Sequence, residues 1–148
     1  MKKAYLLLIT TVMFLLAFQT VAIAQSSVTE IFKNHFNETV QNIHQTEHAD
    51  EQRAVLNTSF SKMITAVDRL ESMAQISEAE SAQLVSFRNG IEEKQNELNG
   101  LDGFNEIQDE DLVDFSEYSQ QYFEQANRTV TISVSTALLI IILILLLT

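Results

Sequence analysis

The chain of 148 residues contains no cysteine, no proline, no tryptophan and only three glycines. Without cysteine there is no disulfide framework, no thiolate nucleophile and no thiolate metal site. Without proline, and with so little glycine, almost nothing in the sequence interrupts a helix. These absences predict long helices. They also mean that export has to be inferred from the termini and not from disulfides.

Positive charge is scarce as well. The chain has nine Lys and Arg but twenty Asp and Glu. Two of the nine are Lys2 and Lys3, so the segment 25–128 holds seven cations and all twenty carboxylates, a formal charge of −13. Such a surface repels nucleic acid and anionic lipid, and it suits a basic partner, divalent cations or solubility alone. We therefore predict no nucleic-acid partner.

Residues 1–24 have the three parts of a secretory signal peptide. Lys2 and Lys3 form a basic start, an apolar stretch follows to about Ala17, and Ala22-Ile23-Ala24 supplies small residues for signal peptidase. We predict cleavage before Gln25, with an uncleaved N-terminal membrane anchor as the alternative. The short Met-Lys-Lys start is typical of bacterial proteins.

Residues 129–148 form a strongly apolar segment, and the side chains from Ala137 to Leu147 have no polar atom. As a helix this segment rises roughly 30 Å, the thickness of a bilayer core. We predict a C-terminal transmembrane helix, with the segment 25–128 on the outer side of the membrane. A buried helix of a soluble domain is the competing interpretation, but a domain of this size could not enclose eleven consecutive aliphatic residues on every helical face. A cleaved sorting tail or a eukaryotic lipid-anchor signal is a further alternative.

Small side chains recur at four-residue spacing in this predicted span, at Thr129, Ser133 and Ala137. Such spacing lets two helix backbones approach closely. We interpret these three residues as a helix-packing face for a second copy or a partner helix. A lone membrane anchor is the alternative.

Two apolar stripes at helical spacing open the segment 25–128. The first stops before Glu47, which predicts a helix ending near residues 45–48. The second has the heptad rhythm of helices that pack at shallow angles. Their members are Val28, Phe32, Phe36, Val40 and Ile43 in the first, and Leu56, Phe60, Met63, Val67, Leu70 and Ala74 in the second.

A third helix is predicted to begin at Ser77, where Glu80 completes a capping box, and to end at Asn99-Gly100. Residues 101–111 are interpreted as a loop, and Asp109 as the cap of a fourth helix that continues into the predicted span. The expected apolar positions are Leu84, Phe87, Ile91 and Leu98 in the third helix, and Leu112, Phe115, Tyr118 or Ser119, Tyr122 and Ala126 in the fourth.

The predicted fold class is all-α. It consists of an exported antiparallel bundle of three or four helices, residues 25–128, followed by a C-terminal transmembrane helix, residues 129–148. Tyr118, Tyr122 and Phe123 lie close to the predicted membrane boundary. They are expected either to form an interfacial aromatic belt or to pack within the bundle.

The segment from His44 to His48 reads H-x-x-E-H, the zinc motif of inverzincin peptidases. Two His four residues apart share a helix face, Glu47 has the place of the general base, and Glu124 has the place of a third ligand. Those peptidases have large mixed α/β domains, whereas this chain predicts no strands. We reject the peptidase and keep weak divalent-metal binding as an alternative. His35 lies roughly opposite His44 on the predicted helix.

The stretch 97–124 contains no Lys or Arg. Its carboxylates offer hard oxygen ligands for Ca²⁺, but the ligand order of an EF-hand is not met. A solvated acidic loop and helix start is the simpler interpretation, because carboxylates in a first turn complement the helix dipole. The carboxylates concerned are Asp102, Glu106, Asp109, Glu110, Asp111 and Asp114.

The sequence assigns no catalytic residue, no cofactor-binding residue and no metal ligand. It predicts a non-catalytic interaction or structural protein of the bacterial cell envelope, held in the inner membrane by a single span. Its expected partners are the membrane and either another envelope protein or a second copy, with no small-molecule substrate implied. The alternative is a periplasmic cation- or ligand-binding module that uses the acidic 97–124 stretch or His44 and His48.

Overall fold

The computed structural model describes residues 28–73, 76–128 and 130. Several sequence predictions lie outside these residues. They are the signal peptide 1–24 with its cleavage site, Ala74 of the second stripe, the packing face Thr129, Ser133 and Ala137, and, except for Val130, the predicted span 129–148.

Four α-helices account for most of the described chain: α1 is Val28–Gln45, α2 is Ala49–Met73, α3 is Glu78–Asn99 and α4 is Leu112–Ala126. A 3-10 turn, Asp109–Asp111, precedes α4. The described residues contain no strand. The prediction of an all-helical bundle is therefore confirmed, and the first helix ends at Gln45, inside the predicted window.

Contacts between the helices show that neighbours run in opposite directions. Thr39 of α1 meets Ser59 of α2. Toward the end of α1 the contacting residues are closer in sequence, since Ile43 accepts from Gln52, and toward its start they are farther apart, since Phe36 stacks on Phe60. The same opposite drift relates α2 to α3, α1 to α4 and α3 to α4. The helices thus alternate up and down, which brings the link 46–48 and the loop 100–111 to one end of the bundle. We call this the loop end, and the opposite end, where α4 finishes, the terminal end.

Aromatic rings fill the middle of the core. Phe36 of α1 stacks on Phe60 of α2 with centroids 5.3 Å apart, and lies 4.7 Å from Phe123 of α4. Phe32 meets Phe87 of α3 edge to face at 5.3 Å. These offset and edge contacts are the arrangements that aromatic quadrupoles favour. All four helices therefore contribute to one core, and the predicted stripes of α1, α2 and α3 are buried wherever they are described.

The buried face of α4 differs in part from the predicted one. Leu112 and Phe115 are buried as expected. Of the two alternatives Tyr118 and Ser119, the buried residue is Ser119. Phe123 is fully buried, whereas Tyr122 is half-buried and Tyr118 exposed. For Phe123 the alternative of packing within the bundle is confirmed, because its ring lies against α1 and α3 in the core. Phe123 is therefore not part of an interfacial aromatic belt.

The caps of α3 match the prediction. Ser77 Oγ accepts a hydrogen bond from the Glu80 amide, and the Ser77 amide donates to Glu80 Oε2 at 2.9 Å, which completes the capping box. At the other end Gly100 has φ 63°, a left-handed conformation that favours glycine. Gly100 is also close to the returning loop, because a Cβ there would lie 2.8 Å from the Glu106 amide nitrogen.

Two predictions about α4 are wrong. Asp109 does not cap it, because α4 begins at Leu112 after the 3-10 turn and the Asp109 carboxylate accepts instead from Arg53. The helix also ends at Ala126 and does not continue unbroken. Val130, beyond the expected domain boundary, is buried in the core. Among the helices of the described segments, none is both long and apolar enough to cross a bilayer.

Candidate functional site

Charge is distributed unevenly along the bundle. The loop end comprises residues 42–53 and 96–117, which carry eleven carboxylates and a single Lys or Arg, a formal charge of −10. The rest of the segment 25–128 has nine carboxylates and six cations, a formal charge of −3. Two stretches that are distant in sequence are thus folded into one strongly acidic surface, whose potential acts on anything that approaches this end.

Arg53, the single cation of this surface, holds the loop to the helices. Its guanidinium donates to the carbonyl oxygens of Leu98 at 2.9 Å and Ile107 at 2.6 Å. It also pairs with Glu106 at 3.2 Å and Asp109 at 3.0 Å. The Arg53 side chain is only 19% exposed. The planar fork of an arginine suits this role, because several fixed donors reach acceptors on two sides of one turn.

The chain leaves α3 through a Schellman motif. The Leu101 amide donates to the Asn96 carbonyl at 2.9 Å, and the Gly100 amide donates to Glu97 at 3.4 Å. Asp102 and Gly103 follow with φ of 56° and 90°, and the Phe104 amide donates back to the Leu101 carbonyl at 3.0 Å. Positive φ at both central residues defines a type I′ turn, for which Asp-Gly is a favoured pair.

This turn exposes apolar side chains at both of its corners. Leu101 is 55% exposed and Phe104 is 39% exposed. In a Schellman motif an apolar residue in the place of Leu101 commonly packs back on the helix, so its exposure here is unusual. We name Leu101 and Phe104 the tip pair. Asp102 lies between them in the sequence, and Glu106 follows within the same loop.

The structure separates the residues of the H-x-x-E-H motif. His44 lies in the last turn of α1, which ends at Gln45, whereas His48 lies in the link before α2. The two imidazoles therefore do not share a helix face as predicted. His44 Nε2 lies 3.1 Å from Glu117 Oε1 of α4, a contact that is an ion pair only when the imidazole is protonated. Glu124 is near the terminal end, so α4 carries it away from both His.

The carboxylates of the 97–124 stretch do not converge on one point. Glu106 and Asp109 bind Arg53, Glu97 binds Lys94, and Glu117 meets His44. In the part of the chain that the structure describes, no three His, Asp or Glu side chains are grouped as metal ligands would be. The stretch is therefore an acidic surface that includes the loop with the tip pair and the two carboxylates bound to Arg53.

A groove between α3 and α4 is the second candidate. Lys94 is 5% exposed, and its ammonium donates to Glu97 at 2.8 Å and to Tyr118 Oη at 3.0 Å. Burial alone lowers the pKa of Lys94, but these hydrogen bonds outweigh it and raise the pKa, so the lysine is charged. The adjoining cavity of about 230 Å³ includes Tyr122, and burial raises the pKa of its phenol.

Gly90 is what lets α4 approach α3 at this groove. A Cβ at position 90 would overlap the Tyr122 hydroxyl. Glycine weakens a helix relative to alanine, but at position 90 it leaves the space that the end of the Tyr122 side chain occupies. The Lys94 ammonium already has partners within the chain, so we assign the groove to structure and not to ligand binding.

A third group of polar residues lies between α1 and α2. Ser59 Oγ is 2.8 Å from Thr39 Oγ1 and 3.3 Å from His35 Nε2, beside a cavity of about 280 Å³. Burial lowers the pKa of His35, and Lys62 adds to this while Glu38 opposes it. The serine hydroxyl is buried and shared with Thr39. It is thus a link between two helices and not an accessible nucleophile.

Comparison of the chain with protein-family models, with characterised proteins and with solved structures gives no match.

Proposed function

We propose that this chain is a non-catalytic interaction or structural protein of the bacterial cell envelope. In this proposal residues 1–24 are removed as a signal peptide, and the residues from 25 to Val130 form an exported antiparallel four-helix bundle. The rest of the predicted span 129–148, after Val130, crosses the inner membrane once. The bundle binds another envelope protein or a second copy, and it has no substrate.

One observation carries this proposal: the charge of the bundle is concentrated at the end away from the last residue of α4. The fifteen residues of α4 rise about 22 Å at 1.5 Å per residue. A bundle anchored through the residues after α4 would hold its acidic surface about that far above the bilayer. An acidic surface directed away from anionic lipid is suited to meeting a basic protein.

The best test is site-specific crosslinking in intact membranes. A photoreactive residue replaces Glu110 at the loop end in one variant and Lys33 near the terminal end in another. We expect Glu110 to give a discrete adduct with a second protein, identified by mass spectrometry, and Lys33 to give less of it. No adduct from either position would contradict the proposal.

A further inference from the structure

Exposed apolar side chains of the described bundle are concentrated in one turn. Four large ones are exposed among the described residues, Val85, Leu101, Phe104 and Tyr118, and two of the four form the tip pair. Exposed apolar residues that stand singly are ordinary on soluble proteins. Two at the corners of one tight turn form a small apolar surface at the very end of the bundle.

The tip pair is held rigidly before any partner arrives. On one side the Schellman motif fixes Gly100 and Leu101 against the end of α3. On the other side Arg53 binds the Ile107 carbonyl and the Glu106 carboxylate. A surface fixed in this way loses little conformational entropy on binding, so even two apolar side chains contribute useful affinity.

Charge decides which occupant fits this surface. A second copy would bring another formal charge of −10 against the same end, and nucleic acid or an anionic bilayer would be repelled in the same way. A metal ion would bind carboxylates and leave the apolar side chains uncovered. A protein segment that has cations on both sides of an apolar residue satisfies the apolar pair and the carboxylates together.

We infer that the tip pair, with the surrounding carboxylates of the loop end, binds a Lys- and Arg-rich segment of a partner protein that places an apolar side chain between its cations. This inference rests on the proposed function and specifies its site and the chemistry of the partner. Two apolar side chains are much less than the roughly 800 Å² per partner of a standard interface. The contact is therefore weak and depends strongly on ionic strength.

The test uses the full-length chain in a mild non-ionic detergent and two fluorescent synthetic peptides. Both peptides have the same lysines; one places Leu and Phe between them, and the other has Ser at those two places. Anisotropy should show that the apolar peptide binds at least about tenfold more tightly than the serine peptide. Raising the salt from about 50 to about 300 mM should weaken the binding of both.

Substitutions separate the tip pair from the general charge. Leu101→Ser with Phe104→Ser should abolish the difference between the two peptides and leave the serine peptide unaffected. The matched control is Val85→Ser, which removes an exposed apolar side chain from α3 and should preserve the difference. Phe104→Ser alone, expected to reduce the difference at least about threefold, serves if circular dichroism shows that the double variant is unfolded.

Three outcomes would overturn the inference. In the first, the two peptides bind the natural chain with equal affinity. In the second, the double variant still binds the apolar peptide more tightly than the serine peptide. In the third, the double substitution changes the sedimentation of the chain, which would make a second copy the occupant. If any of these occurs while Glu110 still crosslinks to another envelope protein, the proposed function stands and only the role of the tip pair is wrong.

Discussion

Replacement of Arg53 provides a direct measure of how firmly the acidic loop is held. In Arg53→Ala the Leu98 and Ile107 carbonyls lose a charged donor, and each such hydrogen bond contributes about 1.5–3 kcal/mol. The Glu106 and Asp109 carboxylates are more than half exposed, so each of these pairs adds about 0–1 kcal/mol. Release of side-chain entropy offsets up to about 2 kcal/mol. Together these contributions predict a net loss of roughly 1–8 kcal/mol in the free energy of unfolding.

Arg53→Lys separates the effect of charge from that of geometry. A lysine keeps the charge but replaces the planar fork with one ammonium, so it cannot reach every acceptor and leaves a carbonyl unsatisfied. We expect a loss of about 1–3 kcal/mol. Denaturant unfolding followed by circular dichroism measures it, and hydrogen exchange at the Leu101 and Phe104 amides should accelerate. The control is Arg69→Lys, an exposed arginine of the same helix, expected within about 0.5 kcal/mol of the natural chain.

A loss in Arg53→Lys no larger than that of the Arg69 control would refute the reasoning, because charge alone would then hold the loop. Unchanged exchange at the two turn amides in Arg53→Ala would do the same, since the loop would be ordered without the arginine.

Four further predictions follow from single features. Ser119→Ala should be neutral or stabilising by about 1 kcal/mol in denaturant unfolding, because the buried Ser119 hydroxyl has no hydrogen-bond partner among the described residues; a loss above about 1 kcal/mol would reveal a partner. Gly90→Ala should destabilise by at least about 1 kcal/mol despite its better helix propensity, because the methyl group displaces the Tyr122 hydroxyl, and adding Tyr122→Phe should recover part of the loss. Burial lowers the pKa of His35, so the unfolded chain takes up the proton at a higher pH than the folded chain does. The free energy of unfolding should therefore decrease as the pH falls below about 6.5, by at most about 1.4 kcal/mol per pH unit. Denaturant unfolding of the His35→Gln variant should lack this contribution. A fragment of residues 25–130, which retains the buried Val130, should keep its helical circular dichroism and melting temperature in a chelator; a large drop would favour the cation-binding alternative.

Local periodicity was enough to predict all four helices and the buried faces of three of them. The stripes of α1, α2 and α3 are spaced so regularly that only one face of each can enter a core, and the capping box at Ser77 fixes where α3 begins. In α4 the tyrosines and Phe123 are so close together that two helix faces compete. Phe123 is the aromatic residue that is buried, because its ring packs against α1 and α3. These contacts are tertiary, so the periodicity of α4 alone could not predict them.

The candidate site was harder to predict because its parts are distant in sequence. The acidic stretch 97–124 was visible, but Arg53 binds it across 45 to 56 residues, and nothing local marks that arginine. The same contact explains why Asp109 failed as a cap, since its carboxylate is engaged by the guanidinium. The Asp-Gly pair between Leu101 and Phe104 was the one available signal for a type I′ turn.

The concentration of negative charge at the loop end has a consequence for many copies of the chain in one membrane. If copies stand side by side, their loop ends repel one another once they come within a Debye length, about 8 Å at physiological ionic strength. The rest of each bundle has a formal charge of only −3, so the repulsion there is much weaker. Closely spaced bundles would therefore tilt so that their loop ends are farther apart than their terminal ends. Electrostatic repulsion would then limit the number of copies per area of membrane, and this number would rise when salt is added.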